Sequence, residues 1–451
     1  MAQLFKFDRQ ILIVVAILAV TQSVFAVDWV KEKAAFWPQW RGPEANGVSR
    51  LANPPIRWSE DQNVQWKVPL DGRGSSTPII WQDKIFLLTS IDTGKVIPDL
   101  PKPADQPARP FGITYPNTRF QFAVICLDRT SGKELWRRIA KEMVPHEGHH
   151  GDNNFASASP VTDGQRLYIW FGSAGFYCYD LDGRLLWQRD LGPVKMRKSF
   201  GEGASPVVHG DRVVIVRDQE DQSYLMALDA RNGATVWRAD RDEPSAWATP
   251  LILQHQNKTQ VITNASNRVR SYDLADGSIL WECGGQVGNV TPSPVATQET
   301  VFCMSGYGGS SLFALPLASR GDISDSDQVA WSRDRGTPYV PSPLLLGEML
   351  YFNQSNNPIL SCVDASTGRV VMSRTRLPAV RRLYASPVAA AGRLYVVGRD
   401  GAAVVIEPAN ELKVLATNRL NEGCDASPAL VGEQLFLRGS KHLYCLSRSS
   451  Q

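Results

Sequence analysis

The stretch from residue 126 to residue 136, CLDRTSGKELW, decides the fold of this 451-residue chain. It places a small residue, Cys126, ahead of Asp128, Gly132 and Trp136. Asp can accept backbone N–H bonds inside a tight turn, and Gly can adopt the positive φ that reverses the chain. Trp then offers a large apolar face to a neighbouring sheet. The same order returns as Cys178, Asp180, Gly183, Trp187; Ala227, Asp229, Gly233, Trp237; Ser271, Asp273, Gly277, Trp281; and, with Met for Trp, Cys362, Asp364, Gly368, Met372.

A second signature recurs with these turns: Ser or Thr, then Pro, then an aliphatic or small residue. Successive prolines are 82, 46, 44, 44, 49, 44 and 41 residues apart, so the long first interval carries an insertion, at about 91–117. A Gly turn and an apolar run follow each proline segment, which predicts a β-hairpin. The eight copies start at Thr77, Ser159, Ser205, Thr249, Ser293, Ser342, Ser386 and Ser427.

Four short strands per period, repeated eight times, predict an all-β, eight-bladed propeller in which each period is one twisted sheet. The last period lacks an outer strand, whereas residues 63–68, NVQWKV, precede the first proline strand. We therefore expect this N-terminal strand to complete the last blade and close the ring, because closure removes exposed strand edges. The repeats around Ala314 to Trp331 and around Glu407-Pro408 depart from the turn motif, so irregular blades are expected there.

The overall composition excludes one class of partner. Lys and Arg total 48 and Asp and Glu total 45, for a net charge of +3. No sustained basic stripe appears, so nothing electrostatic indicates a nucleic-acid partner. The seven cysteines are odd in number, and equivalent positions of different repeats lie far apart in space. We therefore interpret the four that recur in the repeat as small buried core residues: Cys126, Cys178, Cys362 and Cys445.

The first residues are typical of an export signal. Lys6 and Arg9 precede an apolar stretch at 11–20, and Ala26 is a suitable cleavage point. An uncleaved membrane anchor is the alternative, but the apolar run is shorter than the ~20 residues of a spanning helix. We expect a signal peptide at 1–26, a lead-in at 27–62 and a single propeller at 63–451. The expected location is periplasmic or secreted, without a membrane span after cleavage.

The turn motif resembles the tryptophan-docking motif of pyrroloquinoline-quinone (PQQ) type propeller repeats, from about Trp66 to Cys445. Residues 37–43, WPQWRGP, also resemble the lead-in of bacterial exported proteins of that family. The resemblance implies two functional classes. One contains binding propellers, such as the subunits that assist outer-membrane protein assembly. The other contains quinoprotein dehydrogenases, which use PQQ and calcium to oxidise alcohols or sugars.

Strand order places the blade crossovers and the loops between second and third strands on one side of the disc, here called the top face. These loops hold the variable sequence, and function in propellers generally lies on variable loops carried by a rigid scaffold. The competing interpretation is that a propeller rim is polar because it is wet. The candidate ligand contacts on this face are His146, His149, His150, Glu202, Arg217, Asn264, Arg335, Tyr339, Arg382 and Asp425.

Residues 146–150, HEGHH, match the zinc-protease motif H-E-x-x-H. That chemistry needs both terminal histidines on one face of a helix, with Glu as general base. Pro145, Gly148 and the following GDNN at 151–154 instead predict a crossover loop. No metal site is predicted here, and a ligand contact by these histidines is left open.

We expect a binding protein rather than an enzyme, with a protein, glycan or small molecule at the top face. The alternative is the PQQ and calcium dehydrogenase. Its alcohol-oxidising members have two adjacent cysteines, and no two cysteines are adjacent here. Calcium needs convergent oxygen ligands, for which Glu202, Asn264 or Asn289, and Asp425 are candidates, although no spacing compels the choice. A hydrolase or lyase in the central funnel is a third possibility, since propellers host many chemistries.

Overall fold

The computed structural model describes residues 31–448, which fold as eight twisted sheets arranged in a β-propeller. Each sheet is an antiparallel meander running outward from the centre, with apolar second and third strands buried between neighbouring blades. The expected all-β, eight-bladed fold is confirmed. Helical structure in this range comprises residues 31–35 and the 3-10 turns Pro103–Asp105, Pro110–Gly112, Gly172–Ala174 and Arg197–Ser199.

Blades are numbered in chain order and their strands run from the innermost outward. Blade 1 has Ile79–Trp81, Lys84–Val96, Thr118–Asp128 and Glu134–Met143; blade 2 has Val161–Thr162, Arg166–Trp170, Phe176–Asp180 and Leu185–Arg189. Blade 3 has Val207–His209, Arg212–Arg217, Ser223–Asp229 and Thr235–Arg241; blade 4 has Leu251–His255, Lys258–Asn264, Arg268–Asp273 and Ile279–Gly284, with Gly321–Asp322 added in parallel outside.

The second half of the ring follows the same plan. Blade 5 has Val295–Ala296, Thr300–Ser305, Ser311–Pro316 and Trp331–Arg333; blade 6 has Leu344–Leu346, Met349–Asn353, Ile359–Asp364 and Val370–Arg376. Blade 7 has Val388–Ala390, Arg393–Val397, Ala402–Glu407 and Lys413–Arg419, with Val48–Ser49 in parallel on its inner edge; blade 8 has Ala429–Val431, Gln434–Arg438, His442–Ser447 and Val64–Pro69.

Ring closure occurs in blade 8, as the sequence predicts. The N-terminal strand Val64–Pro69 pairs antiparallel with His442–Ser447, and Trp66 lies opposite Cys445. The first and last parts of the described chain therefore share one sheet. This arrangement leaves the propeller without an open gap between its first and last blades.

The tryptophan turns connect five of the eight blades to the next blade. Trp237 Nε1 donates to the Leu274 carbonyl of blade 4 at 2.8 Å. A Cβ added to Gly277 would lie 2.6 Å from that indole ring, and Gly277 has φ +76°. Glycine is therefore required both for the turn and for the close approach of the ring. The same contact joins Trp66 to Gly132, Trp136 to Gly183, Trp187 to Gly233, and Trp331 to Gly368.

The irregular repeats have a structural cause. Blade 5 has no glycine turn to receive Trp281, which is fully buried and donates to Gln260 Oε1 within its own blade at 3.3 Å. Blade 7 has Glu407-Pro408 at its turn, and the preceding blade carries Met372 where blades 1 to 5 and blade 8 carry Trp. Where blade 5 or blade 7 lacks the glycine turn, the blade before it thus has either a Trp that bonds within its own blade or a Met.

The core consists of apolar clusters between adjacent blades. All seven cysteines are free and buried, which confirms the interpretation of Cys126, Cys178, Cys362 and Cys445 as core residues. Burial raises the pKa of the Cys126 thiol to about 12, so this thiol stays protonated at neutral pH.

The lead-in fills the lower end of the central channel. The Trp37 N–H donates to the Ile80 carbonyl of blade 1 at 3.0 Å, and the Pro38 carbonyl accepts the Thr162 N–H of blade 2 at 2.9 Å. The Arg41 guanidinium is buried and donates to the carbonyls of Pro343 and Pro387. Its burial lowers the pKa of Arg41 to about 9. The lead-in thus bridges both sides of the ring and closes the channel from below.

None of the helices within residues 31–448 combines the length and apolar character needed to cross a bilayer. The predicted signal peptide at 1–26 lies outside the described residues.

Candidate functional site

A ring of hydroxyl groups surrounds the top of the central channel. Each Ser or Thr that precedes a signature proline accepts the backbone N–H of its counterpart in the preceding blade, at 2.9 to 3.0 Å. Thr77 Oγ1 completes the circle by donating to the Ser427 carbonyl at 3.1 Å. The accepting side chains are Ser159, Ser205, Thr249, Ser293, Ser342, Ser386 and Ser427. The hydroxyl ring therefore fixes the innermost strands against one another.

A cavity of about 390 Å³ opens above this ring on the top face. Its size falls within the range of about 300–1,000 Å³ that is usual for small-molecule sites. Five members of the hydroxyl ring and Trp40 of the lead-in line it. Because Arg41 binds the carbonyls just below the ring, Trp40 lies at the floor. The aromatic side chains of the lining are Trp40, Phe111, Phe200, Trp247, Tyr307, Tyr339 and Tyr384.

One side of the cavity is a bonded network of two carboxylates, a tyrosine and an arginine. Arg399 makes a bidentate contact with Asp425, at 2.7 and 3.0 Å, and reaches Asp152 Oδ1 at 2.9 Å. Tyr384 donates to Asp152 Oδ2 at 2.7 Å, and the Arg399 guanidinium lies 3.9 Å from the centre of the Tyr384 ring. Burial alone would raise the pKa of Asp152, but the bonds from Tyr384 and Arg399 hold it below its ordinary value. These bonds favour the ionised form of Asp152, and both carboxylates are held by charge-assisted hydrogen bonds.

Glu202 lies between the cavity and a smaller one of about 50 Å³ beneath the first crossover. Its Oε1 accepts the N–H and the hydroxyl of Ser173, at 2.9 and 2.7 Å. A Cβ at Gly172 would lie 2.0 Å from Glu202 Oε2, so a glycine is needed beside this carboxyl group. Burial raises the pKa of Glu202, against the opposing effect of the Ser173 bonds. Glu202 is therefore more easily protonated than an ordinary glutamate, whereas Asp152 is less easily protonated than an ordinary aspartate.

The blade 1 insertion forms part of the rim. Beyond the paired strands, residues 97–117 reach the first crossover, where a Cβ at Gly148 would lie 2.2 Å from the Thr114 carbonyl oxygen. The Phe111 ring is 5.2 Å from the Phe200 ring and 6.3 Å from the His150 ring, measured between centroids. The insertion thus places an exposed aromatic ring at the mouth of the cavity.

Five of the ten sequence-predicted residues line the cavity, although they come from different blades. These are His150, Glu202, Tyr339, Arg382 and Asp425. Arg382 is the only Lys or Arg among the lining residues that the structure describes, and its side chain is 57% exposed.

The other five lie elsewhere. His146 is exposed and its Nε2 donates to the Val194 carbonyl at 2.7 Å, while His149 Nδ1 lies 2.8 Å from the His150 carbonyl. Arg217 is buried and bonds the Leu191 and Gly192 carbonyls and the Tyr224 hydroxyl. Asn264 is buried and donates to the carbonyls of Pro292 and Met304 in blade 5. The Arg335 side chain is 84% exposed, beside Asp334.

The segment 146–150 is a loop, as its Pro and Gly predict, rather than a zinc-protease helix. Across residues 31–448 no group of three or more His, Cys, Asp or Glu could hold a metal ion. Glu202 and Asp425 line the cavity, but Glu202 Oε1 accepts from Ser173 and Asp425 is paired with Arg399. Asn264 is not among the lining residues and donates to the carbonyls of Pro292 and Met304. Asn289, the other amide considered, accepts from Arg197 Nη1 at 3.3 Å. All four groups considered as calcium ligands are thus engaged in bonds within the protein.

The sequence-based choice missed four lining residues, Trp40, Asp152, Trp247 and Tyr384, and also Arg399, which bonds two of the lining carboxylates. Trp247 is held by a bond from its Nε1 to the Gly201 carbonyl at 2.6 Å. The sequence feature that could have indicated Trp247 is its position in a crossover, two residues before Thr249 of the hydroxyl ring. Asp152 and Arg399 are 247 residues apart, and neither stands in a motif.

The fold and the cavity define an eight-bladed, PQQ-type propeller with a top-face pocket closed from below. The family model described as outer membrane protein assembly factor BamB matches residues 121–374, more than half of the chain. The chain belongs to this family of PQQ-type repeat propellers. A comparison with curated proteins finds no significant match.

Several solved structures are similar to this chain at low sequence identity. The quinohemoprotein alcohol dehydrogenase of Comamonas testosteroni is 10% identical, with a TM-score of 0.62 over 94% of this chain and 83% of that chain. A europium-containing methanol dehydrogenase is 10% identical, with a TM-score of 0.59 over 92% of each chain. BamB from Moraxella catarrhalis is 17% identical, with a TM-score of 0.41 over 65% of this chain and 95% of that chain. At these identities the two dehydrogenases show a common fold alone.

Proposed function

We propose that this protein is an exported, non-catalytic binding propeller that holds a ligand in its top-face cavity. The observation that carries the proposal is a preformed pocket of about 390 Å³ with a polar floor and aromatic walls. Concave, partly apolar pockets with a few converging polar groups are the usual form of small-molecule sites. The family description, which refers to outer-membrane assembly, supports export from the cytoplasm.

The closed lower end favours a pocket over a channel. The buried guanidinium of Arg41 joins the lead-in to Pro343 and Pro387, on two different blades. Trp40, the preceding residue, lies at the cavity floor. A ligand therefore enters and leaves through the top face, where the blade 1 insertion and Arg382 stand at the mouth.

The bonding of Asp152, Asp425 and Tyr384 favours binding over catalysis at this side of the cavity. Asp425 is engaged by Arg399 through both oxygens, and Asp152 is engaged by Arg399 and Tyr384. Burial and the Asp152 carboxylate raise the pKa of the Tyr384 hydroxyl, which makes it a weak proton donor at neutral pH. Groups held in this way can position a ligand, but they are poorly suited to moving protons near pH 7.

A cavity-filling variant tests the proposal. Val340 lines the cavity and is partly buried, so Val340→Trp should occupy the pocket. Val370→Trp is the matched control, because Val370 is 41% exposed on an outer strand. The measurement is thermal unfolding with a panel of neutral sugars, sugar acids, amino sugars, nucleosides, short peptides, and PQQ with calcium. A ligand present at 100 times its Kd stabilises the native state by about 2.7 kcal/mol.

We expect at least one panel member to stabilise the wild type and Val370→Trp but not Val340→Trp. Stabilisation that survives in Val340→Trp would place the site elsewhere and refute the proposal, as would the absence of any stabilising compound. Tight binding of PQQ with calcium, together with reduction of a redox dye by an alcohol or sugar, would replace it with the dehydrogenase alternative.

A further inference from the structure

We propose that the ligand of the top-face cavity is a neutral carbohydrate. The inference rests on the proposed binding function and adds the chemical class of the ligand. It follows from three features of the cavity: free hydroxyl donors at the floor, aromatic faces on the walls, and aspartates that are already ion-paired.

The floor presents hydrogen-bond donors that need an acceptor. Ser159, Ser205, Thr249, Ser386 and Ser427 line the cavity and are each at most 7% exposed. Every one accepts a backbone N–H through its oxygen, yet none donates its own hydrogen to another group within residues 31–448. A hydroxyl in an apolar site gains free energy by donating. An oxygen-rich ligand supplies acceptors at several of these positions together.

The walls provide flat apolar faces above that floor. Trp247 is fixed by its bond to the Gly201 carbonyl, and a Cβ at Gly203 would lie 3.2 Å from its ring. Tyr307 and Tyr339 form a second aromatic surface, with ring centroids 4.9 Å apart. A sugar ring has one face of C–H bonds and a rim of oxygens. It can therefore cover an aromatic ring while its oxygens reach polar groups.

The charges in the lining select against anions and cations. Three acidic side chains, Asp152, Glu202 and Asp425, line the cavity against Arg382, the one Lys or Arg among the described lining residues, and this balance disfavours an anion. A cation is disfavoured because the floor consists of O–H donors, and because both aspartates are already ion-paired: Arg399 contacts Asp152 and Asp425, and Arg382 lies 4.0 Å from Asp152. The paired carboxylates still have lone pairs that can accept sugar hydroxyls. A neutral ligand with many hydroxyls satisfies all of these groups.

Calorimetric titration of the purified protein tests the inference. The probes are glucose, cellobiose, maltose and xylobiose, with galacturonate as the anionic arm, glucosamine as the cationic arm, and PQQ with calcium as the cofactor arm. We expect at least one neutral sugar to bind with 1:1 stoichiometry and at least tenfold more tightly than galacturonate or glucosamine. Tightest binding by galacturonate, glucosamine or PQQ, or no binding by any neutral sugar, would overturn the inference.

Aromatic variants place the sugar in the cavity. Trp247→Ala should weaken binding by about tenfold, whereas Trp247→Phe should retain most of the affinity because a flat ring remains. Tyr307→Ala is a second variant with little risk to folding, since Tyr307 is 44% exposed. Unchanged affinity in both alanine variants would overturn the inference.

The two proposals fail in different ways. If another probe binds and Val340→Trp abolishes its binding, the cavity is a ligand site and only the carbohydrate class is wrong. If Val340→Trp leaves all binding unchanged, the proposed function fails together with the inference.

Discussion

Replacing one serine of the hydroxyl ring should separate its structural role from its role in ligand binding. Ser293 and Ser205 occupy the same position in different blades, and each accepts a backbone N–H at 2.9 Å, from Thr249 and Ser159 respectively. Only Ser205 lines the cavity. The variants Ser293→Ala and Ser205→Ala thus remove equivalent structural bonds, but one alone removes a floor donor.

The expected stability change follows from the buried partner. Thr249 is 7% exposed and Ser159 is 2% exposed, so alanine leaves each N–H without a hydrogen bond in the interior. An orphaned buried donor costs about 1–3 kcal/mol. Both variants should therefore lower the free energy of unfolding by about this amount. Ser373→Ala, at an exposed outer-strand position, should change it by no more than about 0.5 kcal/mol.

Urea denaturation measures these differences, and calorimetry with the tightest neutral sugar of the panel measures affinity. We expect equal destabilisation in the two ring variants and weaker sugar binding in Ser205→Ala alone. If Ser293→Ala is as stable as Ser373→Ala, the ring does not stabilise the channel. If Ser205→Ala and Ser293→Ala bind the sugar equally well, the floor hydroxyls do not contact it.

Three further outcomes are expected from other parts of the molecule. Trp237→Ala should lower the free energy of unfolding, measured by urea denaturation, by about 3–5 kcal/mol, because removal of the 8%-exposed indole leaves a cavity. Val236→Ala is the control, since Val236 is 38% exposed. Equal effects of the two substitutions would argue against docking of Trp237 on the next blade. Hydrogen bonds from Ser366 and Thr367 lower the pKa of Asp364 to about 2, so its contribution to stability should be present above about pH 4 and lost as the pH falls through 2. Acid titration by NMR measures the pKa of Asp364, and a value near 4 would contradict the hydrogen bonds of this turn. The Asp364→Asn variant should lose less stability than the wild type between pH 4 and pH 2. Replacing residues 98–116 by Asn-Gly should barely change thermal unfolding, because Val96 still pairs with Thr118. The same replacement should weaken sugar binding, because it removes Phe111 from the cavity. A large loss of stability would mean that the insertion packs as part of the propeller.

The sequence was sufficient for the fold because its determinants are local. Asp128 and Gly132 form a turn whose hydrogen bonds involve only neighbouring residues. Trp136, like its counterparts in other repeats, packs on the turn glycine of the next blade. Repetition then fixes the number of blades. The irregular repeats were visible as lost motifs. That Trp281 bonds within its own blade when blade 5 lacks a glycine turn required the structure, because Trp281 and that turn lie in different blades.

The cavity was less predictable because its parts meet across the ring. The Ser or Thr before each proline was visible, but its bonding partner lies 41 to 82 residues away and is known only from the closed propeller. Arg217 and Asn264 share the polar chemistry of ligand contacts, yet both stand at the ends of second strands and bond backbone carbonyls of neighbouring segments. Residue type alone does not distinguish such buried, backbone-bonded side chains from cavity residues such as Asp425.

A crystal structure of the protein soaked with glucose, cellobiose, maltose or xylobiose would show whether the cavity binds a sugar. We expect a sugar in the top-face cavity, packed on Trp247, with its oxygens about 2.5–3.0 Å from the hydroxyls of Ser205 and Thr249. A sugar bound outside the cavity, or a cavity that contains only water under saturating sugar, would refute the carbohydrate site.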